Sequence, residues 1–179
     1  GDSALVLSDY TNKSVYSFEP TPKSFELMLK TIEMNHKKNI VPVNLGLGSK
    51  NCKAEIPNLV GVGNRTNYVD SAQGNGKETA IVDIVTLDEY VDKNKLEVGL
   101  IKVDIEGNEQ DFLKGAEKVI RSQKPALLIS IYHNPADFFQ IKSLIEGWNL
   151  GYKFKIAKCH SPYICIDTLL IAEVNPEEG

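Results

Sequence analysis

The ten residues Leu100-Ile101-Lys102-Val103-Asp104-Ile105-Glu106-Gly107-Asn108-Glu109 pass from an apolar run through an acidic turn into a helical pattern. The apolar run predicts a buried strand that ends at Asp104. After the turn, apolar side chains recur at helical spacing, which predicts a helix from Glu109 to about Arg121. A strand followed at once by a helix is the repeating unit of a sheet of parallel strands.

The same alternation continues on both sides of this stretch. Apolar and β-branched runs predict further strands at residues 15–19, 40–45, 79–85 and 126–132. Prolines predict helices that begin at Pro22 and at Pro135. Two last strands, near residues 152–157 and 164–174, follow each other as a hairpin. We therefore expect an α/β fold in a single domain, residues 1–179, with a mostly parallel sheet and a C-terminal antiparallel strand.

The composition excludes several classes of protein. The chain of 179 residues carries 20 basic and 24 acidic side chains, a formal net charge of −4, whereas a nucleic-acid binder usually has a basic excess. Its apolar runs are shorter than the roughly 18 residues that span a bilayer. Its three cysteines form no C-x-x-C pair, which favours a reducing compartment. We expect a cytoplasmic protein that binds neither nucleic acid nor membrane.

Polar side chains stand where three of the predicted strands end. Ligands of parallel sheets bind at the carboxyl ends of the strands. Glu19 ends the strand 15–19, and a carboxylate can accept hydrogen bonds from both hydroxyls of a ribose. Asp104 ends the strand 100–104, and His133 follows the strand 126–132. We expect Glu19, Asp104 and His133 to line one edge of one sheet, where the ordinary pKa of histidine, about 6.5, would suit proton removal.

Five stretches together resemble the FkbM family of S-adenosylmethionine-dependent methyltransferases. They are residues 15–20, 85–90, 100–109, 113–116 and 130–135, and the block 102–109 is the most specific part. The resemblance implies a Rossmann-like class I methyltransferase fold with S-adenosylmethionine as cofactor. It also implies transfer of a methyl group to a hydroxyl oxygen of a sugar, a polyketide or a similar small-molecule acceptor.

The start of the chain departs from the family pattern. The family opens with a strand and a glycine-rich turn, Asp-x-Gly-Ala-x-x-Gly-Asp, and this chain begins at its last two positions, Gly1-Asp2. We therefore expect an N-terminally truncated fold that lacks the first strand and most of the glycine motif. Within this scheme we expect catalytic roles for His133 and Asp104. We expect contacts to the cofactor from Gly1, Asp2, Glu19, Pro20, Asn44 and Asp104.

Other interpretations of the same residues stay open. Glu106 and Glu109 fall in a first helical turn, where acids stabilise the helix dipole. Asp104 and Glu106 offer the oxygen ligands that Mg²⁺ takes, although we expect no metal. An NAD-dependent oxidoreductase would also use Glu19, but the complete glycine fingerprint is not present. A truncated or degenerate chain could instead act as an interaction module, and strand exchange would then make it a homo-oligomer.

Overall fold

The computed structural model describes residues 2–58, 78–158 and 167–174. Gly1 and the first residues of the strand predicted at 164–174 therefore lie outside the described residues. The chain divides into two units, Gly1–Val85 and Thr86–Gly179. Both units contain helices and strands, and the predicted alternation is present over residues 2–43 and 87–146. None of the helices in the described ranges is long and apolar enough to cross a bilayer.

The first unit begins with two helices and a pair of parallel strands. Its first four elements are α1 (Asp2–Asp9), β1 (Val15–Phe18), α2 (Pro22–Met34) and β2 (Ile40–Val43). Strand β1 lies parallel to β2, with Val15 opposite Ile40 and Phe18 opposite Val43. Helix α2 begins at Pro22, as predicted, because proline at the first helical position needs no backbone hydrogen bond.

A mixed three-stranded sheet completes the first unit. Its strands are β3 (Gly46–Leu47), β4 (Cys52–Pro57) and β5 (Thr79–Val85), in the order β3-β5-β4. Strand β3 runs parallel to β5, and β4 runs antiparallel to it. The strand predicted at 40–45 ends earlier, at Val43, because Gly46 pairs with β5 instead. A Cβ atom at Gly46 would lie 2.3 Å from Ile84 Cδ1, so glycine permits this close approach.

The second unit holds a four-stranded sheet with helices between its strands. Its elements are α3 (Leu87–Asn94), β6 (Leu100–Val103), α4 (Glu109–Gly115), α5 (Glu117–Gln123), β7 (Ala126–Ser130), α6 (Pro135–Glu146), β8 (Lys153–Lys158) and β9 (Thr168–Glu173). The order is β6-β7-β9-β8, with β6 and β7 parallel and β9 antiparallel to both of its neighbours. The predicted antiparallel end of the sheet is therefore present. The core contains the fully buried side chains of Leu113, Ile120, Leu127, Ile129, Ile141 and Ile145.

The helix predicted from Glu109 to Arg121 is two helices that meet at Ala116. The carboxylate of Asp88 accepts hydrogen bonds from the backbone N–H groups of Lys118, at 3.1 Å, and Val119, at 2.8 Å. In one continuous helix these groups would donate to the carbonyls four residues earlier. Asp88 takes the place of those carbonyls, so α5 begins as a separately capped helix.

Candidate active site

Two neighbouring strands of the second unit bring Asp104 and His133 together. Strands β6 and β7 are parallel, so their carboxyl ends lie at the same edge of the sheet. Asp104 follows β6 directly, and His133 lies three residues beyond the end of β7. Asp104 Oδ1 lies 3.5 Å from His133 Nε2. The strand-end argument therefore places this pair correctly.

The turn between β6 and α4 adds a second carboxylate to this edge. Glu106 and Gly107 both have positive φ angles, 58° and 100°. Left-handed backbone is unfavourable for a side chain such as that of glutamate, and a value of 100° favours glycine. The turn places Glu106 Oε2 3.7 Å from His133 Nε2. His133 Nε2 is thus faced by oxygens of both Asp104 and Glu106.

Glu109 approaches the other side of the same imidazole ring. Its side chain is 0% exposed, and its Oε1 lies 2.7 Å from His133 Nδ1. The same oxygen accepts a hydrogen bond from the Ile105 N–H at 3.1 Å. Burial alone would raise the pKa of Glu109, but the hydrogen bonds from His133 and from backbone N–H groups outweigh it and lower the pKa below its usual value. Glu109 is therefore a buried carboxylate.

His133 is correspondingly a stronger base than an ordinary histidine. Burial alone would lower its pKa, but the hydrogen bond and charge of Glu109, with the charges of Glu106 and Asp104, raise the pKa above 6.5. Burial and the charge of Asp104 raise the pKa of the neighbouring Tyr132 to about 12. The Tyr132 hydroxyl therefore stays protonated near neutral pH, and it donates to Asp104 Oδ1 at 3.5 Å. Of the two neighbouring rings, Tyr132 and His133, only that of His133 can therefore take up a proton near neutral pH.

A second buried carboxyl group supports this arrangement from α6. Asp137 is 1% exposed and accepts a hydrogen bond from Gln110 Nε2 at 3.1 Å and another from Asn134 Nδ2. Asn134 caps α6, because its Oδ1 accepts from the Asp137 N–H at 3.0 Å. Burial, together with the charge of Glu109, raises the pKa of Asp137 to about 6. The network thus joins α4, the segment after β7 and the first turn of α6.

The first unit holds another group of predicted residues. Glu19 follows β1, and its Oε1 accepts a hydrogen bond from the Thr21 N–H at 2.8 Å. Asn44 Nδ2 donates to the carbonyls of Glu19, at 2.8 Å, and Pro20, at 3.2 Å. Glu19, Pro20 and Asn44 therefore form one small cluster at the ends of β1 and β2. Asp2 is exposed in the first turn of α1.

Glu19 follows a strand of the two-stranded sheet, whereas Asp104 and His133 follow strands of the four-stranded sheet. The described strands therefore form three sheets, and not the one sheet expected to carry all three residues. The side-chain contacts of Glu109 and Asp137 were also not predicted from the sequence. The helix-dipole interpretation of Glu109 did not foresee that its carboxylate contacts His133, because that contact depends on the left-handed turn at Glu106 and Gly107.

The cluster has the donor types of a metal site, and two of these donors are joined by a hydrogen bond. One ligand atom each from Asp104, Glu109 and His133 lies within 4.8 Å of the others. However, His133 Nδ1 and Glu109 Oε1 are 2.7 Å apart, the length of a charge-assisted hydrogen bond. Two ligands of one metal at about 2.1 Å and at right angles would lie about 3 Å apart. The Glu109–His133 contact is therefore a hydrogen bond.

Comparison with known proteins agrees with this architecture. Residues 4–154 match the sequence profile of the methyltransferase FkbM domain. Methyltransferase 1 of Beauveria bassiana (strain ARSEF 2860) is 23% identical over 156 residues, which is 77% of this chain and 63% of that protein. The crystal structure of methyltransferase FkbM from Methylobacillus flagellatus KT has a TM-score of 0.73 and 22% identity, covering 96% of this chain and 40% of that one.

The chain thus spans less than two thirds of the length of either relative. The structural likeness confirms the α/β, Rossmann-like class I methyltransferase fold that the sequence predicted. The profile match covers most of the chain, including the acidic turn and His133. The chain therefore belongs to the methyltransferase FkbM domain family.

Proposed function

We propose that this chain is part of an S-adenosylmethionine-dependent O-methyltransferase, which methylates a hydroxyl of a sugar, a polyketide or a similar small acceptor. The observation that carries the proposal is the group of acidic side chains around the ring of His133. Its ring is held by a buried carboxylate, and its pKa is raised by three acidic neighbours. An alcohol is a weak nucleophile, so a base that accepts its proton assists attack on a methyl group.

The cluster of Glu19, Pro20 and Asn44 supports the cofactor part of the proposal. S-adenosylmethionine, when bound, supplies a methyl group on a positively charged sulfur. The Thr21 N–H holds the Glu19 carboxylate at the end of β1, and a carboxylate suits the two hydroxyls of a ribose. Asn44 tethers the backbone of Glu19 and Pro20, and its own segment would pass near the adenine. Gly1 and Asp2 are proposed to contact the methionine part.

Asp104 and His133, which follow β6 and β7, would act on the acceptor hydroxyl. We assign His133 the role of general base, with Nε2 taking the proton of the acceptor hydroxyl. Asp104 would help to close the cofactor pocket, and its negative charge would stabilise His133 once that residue is protonated. No described residue is assigned as a metal ligand in this scheme.

Calorimetric titration with S-adenosylhomocysteine tests the cofactor assignment. The titration is made on this chain and on a version extended upstream through the glycine motif. Removing a charged hydrogen-bond partner costs about 1.5–3 kcal/mol, so Glu19→Gln should weaken binding at least tenfold. Glu33→Gln is the matched control, because Glu33 is exposed on α2 in the same unit. Failure of both forms to bind would refute the proposal.

Two alternative functions would each give a different result. An NAD-dependent oxidoreductase would bind reduced nicotinamide cofactor, detected by its fluorescence, and not S-adenosylhomocysteine. A non-catalytic interaction module would bind neither and would increase in mass with concentration in size-exclusion chromatography with light scattering. Either result would replace the methyltransferase proposal.

A further inference from the structure

The inference concerns Glu109, whose carboxylate contacts the ring of His133 from inside the fold. A fully buried carboxylate is costly unless hydrogen bonds compensate its charge. Here His133 Nδ1 and the Ile105 N–H both reach Glu109 Oε1, at 2.7 Å and 3.1 Å. A favourable contact with a helix dipole does not account for this burial, because an exposed acid at the start of α4 would make the same contact without the cost of desolvation.

The ionised state of Glu109 determines where His133 carries its proton. An ionised carboxylate has no hydrogen to donate, so it acts only as an acceptor. His133 Nδ1 must therefore be the donor in the 2.7 Å contact. In the neutral imidazole, the second nitrogen is then the acceptor. Glu109 thereby leaves Nε2 as the position at which His133 can bind a proton.

The other groups around the ring agree with this orientation. Asp104 Oδ1 and Glu106 Oε2 lie 3.5 Å and 3.7 Å from Nε2. Both carboxylates would stabilise a proton added there. The Tyr132 ring packs beside the imidazole, with the ring centroids 4.2 Å apart. Asp137 also interacts electrostatically with both Glu109 and His133.

We propose that Glu109 is a positioning residue, which holds His133 with its proton on Nδ1 and directs Nε2 toward Asp104 and Glu106 as the proton acceptor. The inference rests on the proposed function, because it assigns His133 the role of base. Glu109 itself contacts no substrate in this scheme. It acts through His133, as an orienting carboxylate does in other histidine-based sites.

Nitrogen-15 NMR of the histidine rings tests this directly and needs no acceptor molecule. Long-range proton–nitrogen spectra of the 179-residue chain, recorded from pH 5 to 9, report both the tautomer and the titration midpoint of each ring. The chain has three histidines, and the spectrum of His133→Gln assigns the resonances of His133. We expect the neutral ring of His133 to be protonated at Nδ1, with a midpoint above that of an unperturbed histidine.

Substitution of Glu109 separates positioning from a merely structural role. Glu109→Gln keeps the shape of the side chain but removes its charge, so the His133 midpoint should shift to lower pH and the neutral ring should become a mixture of tautomers. Asp111→Asn is the matched control, because it removes one negative charge from α4 at a residue paired with Lys114. In this control the signals of His133 should not change.

Either of two outcomes would overturn the inference. One is a neutral His133 protonated at Nε2 in the unmodified chain, a result that stands even if Glu109→Gln fails to fold. The other is a folded Glu109→Gln variant whose His133 signals match those of Asp111→Asn. Titration with S-adenosylhomocysteine is run separately, on the unmodified chain and on its upstream-extended form. Failure of both to bind, with His133 still protonated at Nδ1, would count against the proposed function and not against the role of Glu109. Binding with a neutral His133 protonated at Nε2 would count against the role of Glu109 alone.

Discussion

At the scale of single residues, two equally buried carboxyl groups, those of Glu109 and Asp137, have pKa values that are shifted in opposite directions. Glu109 is 0% exposed and Asp137 is 1% exposed. The pKa of Glu109 is lowered although burial opposes this, because His133 and backbone N–H groups donate to it. The pKa of Asp137 is raised to about 6 by burial and by the charge of Glu109, which the hydrogen bond from Gln110 does not offset. The direction of each shift is thus decided by hydrogen-bond partners and neighbouring charge, and not by burial alone.

Asp137 should therefore make the stability of the fold depend on pH. In the unfolded chain its pKa is about 3.9, so between about pH 4 and pH 6 the folded state binds more protons than the unfolded state. Stability from this group is present below pH 4 and is lost as pH rises through 6. The loss is on the order of 1–3 kcal/mol.

Asp137→Asn cannot ionise, so its free energy of unfolding relative to the unmodified chain should rise between pH 5 and pH 8 in urea titrations. A difference that is constant with pH would show that Asp137 does not titrate in this range.

At the scale of secondary-structure elements, the junction between α4 and α5 depends on one side chain from α3. Helix ends leave N–H groups without intrahelical partners, and Asp88 accepts from two of them in α5. Asp88→Ala leaves these groups without that acceptor. We expect the free energy of unfolding, measured by urea titration, to fall by about 1–2 kcal/mol, the usual cost of removing a helix cap.

The control for Asp88 lies on the same helix. Asp92→Ala also removes one negative charge from α3, but Asp92 is exposed and pairs only with Lys95 among its described ion-pair partners. An exposed ion pair of this kind contributes little, so the change should stay within about 0.5 kcal/mol. Equal effects of the two substitutions would mean that Asp88 acts through its charge and not as a cap.

At the scale of the whole molecule, the parts of the fold that depend on periodicity were predictable from the sequence. Apolar runs and helical spacing located most strands and helices, and the rule for strand ends placed Asp104 beside His133. The break at Ala116 was not predictable, because the capping group comes from α3, about 30 residues earlier in sequence. The contact between Glu109 and His133 was missed for the same reason: it is made by tertiary packing and leaves no periodic signal.

The outer strand of the four-stranded sheet gives a last prediction. Among the described strands β8 pairs only with β9, so its other edge has backbone groups that another chain could pair with. Three exposed lysines, Lys153, Lys155 and Lys158, occupy this strand, and lysine on an edge opposes pairing between copies. Lys155→Val should therefore increase the average mass in light scattering as concentration rises, relative to the unmodified chain. Lys118→Val makes the same change at an exposed position of α5 and should not. If both variants associate equally, general surface hydrophobicity is responsible, and the lysines of β8 do not protect the edge.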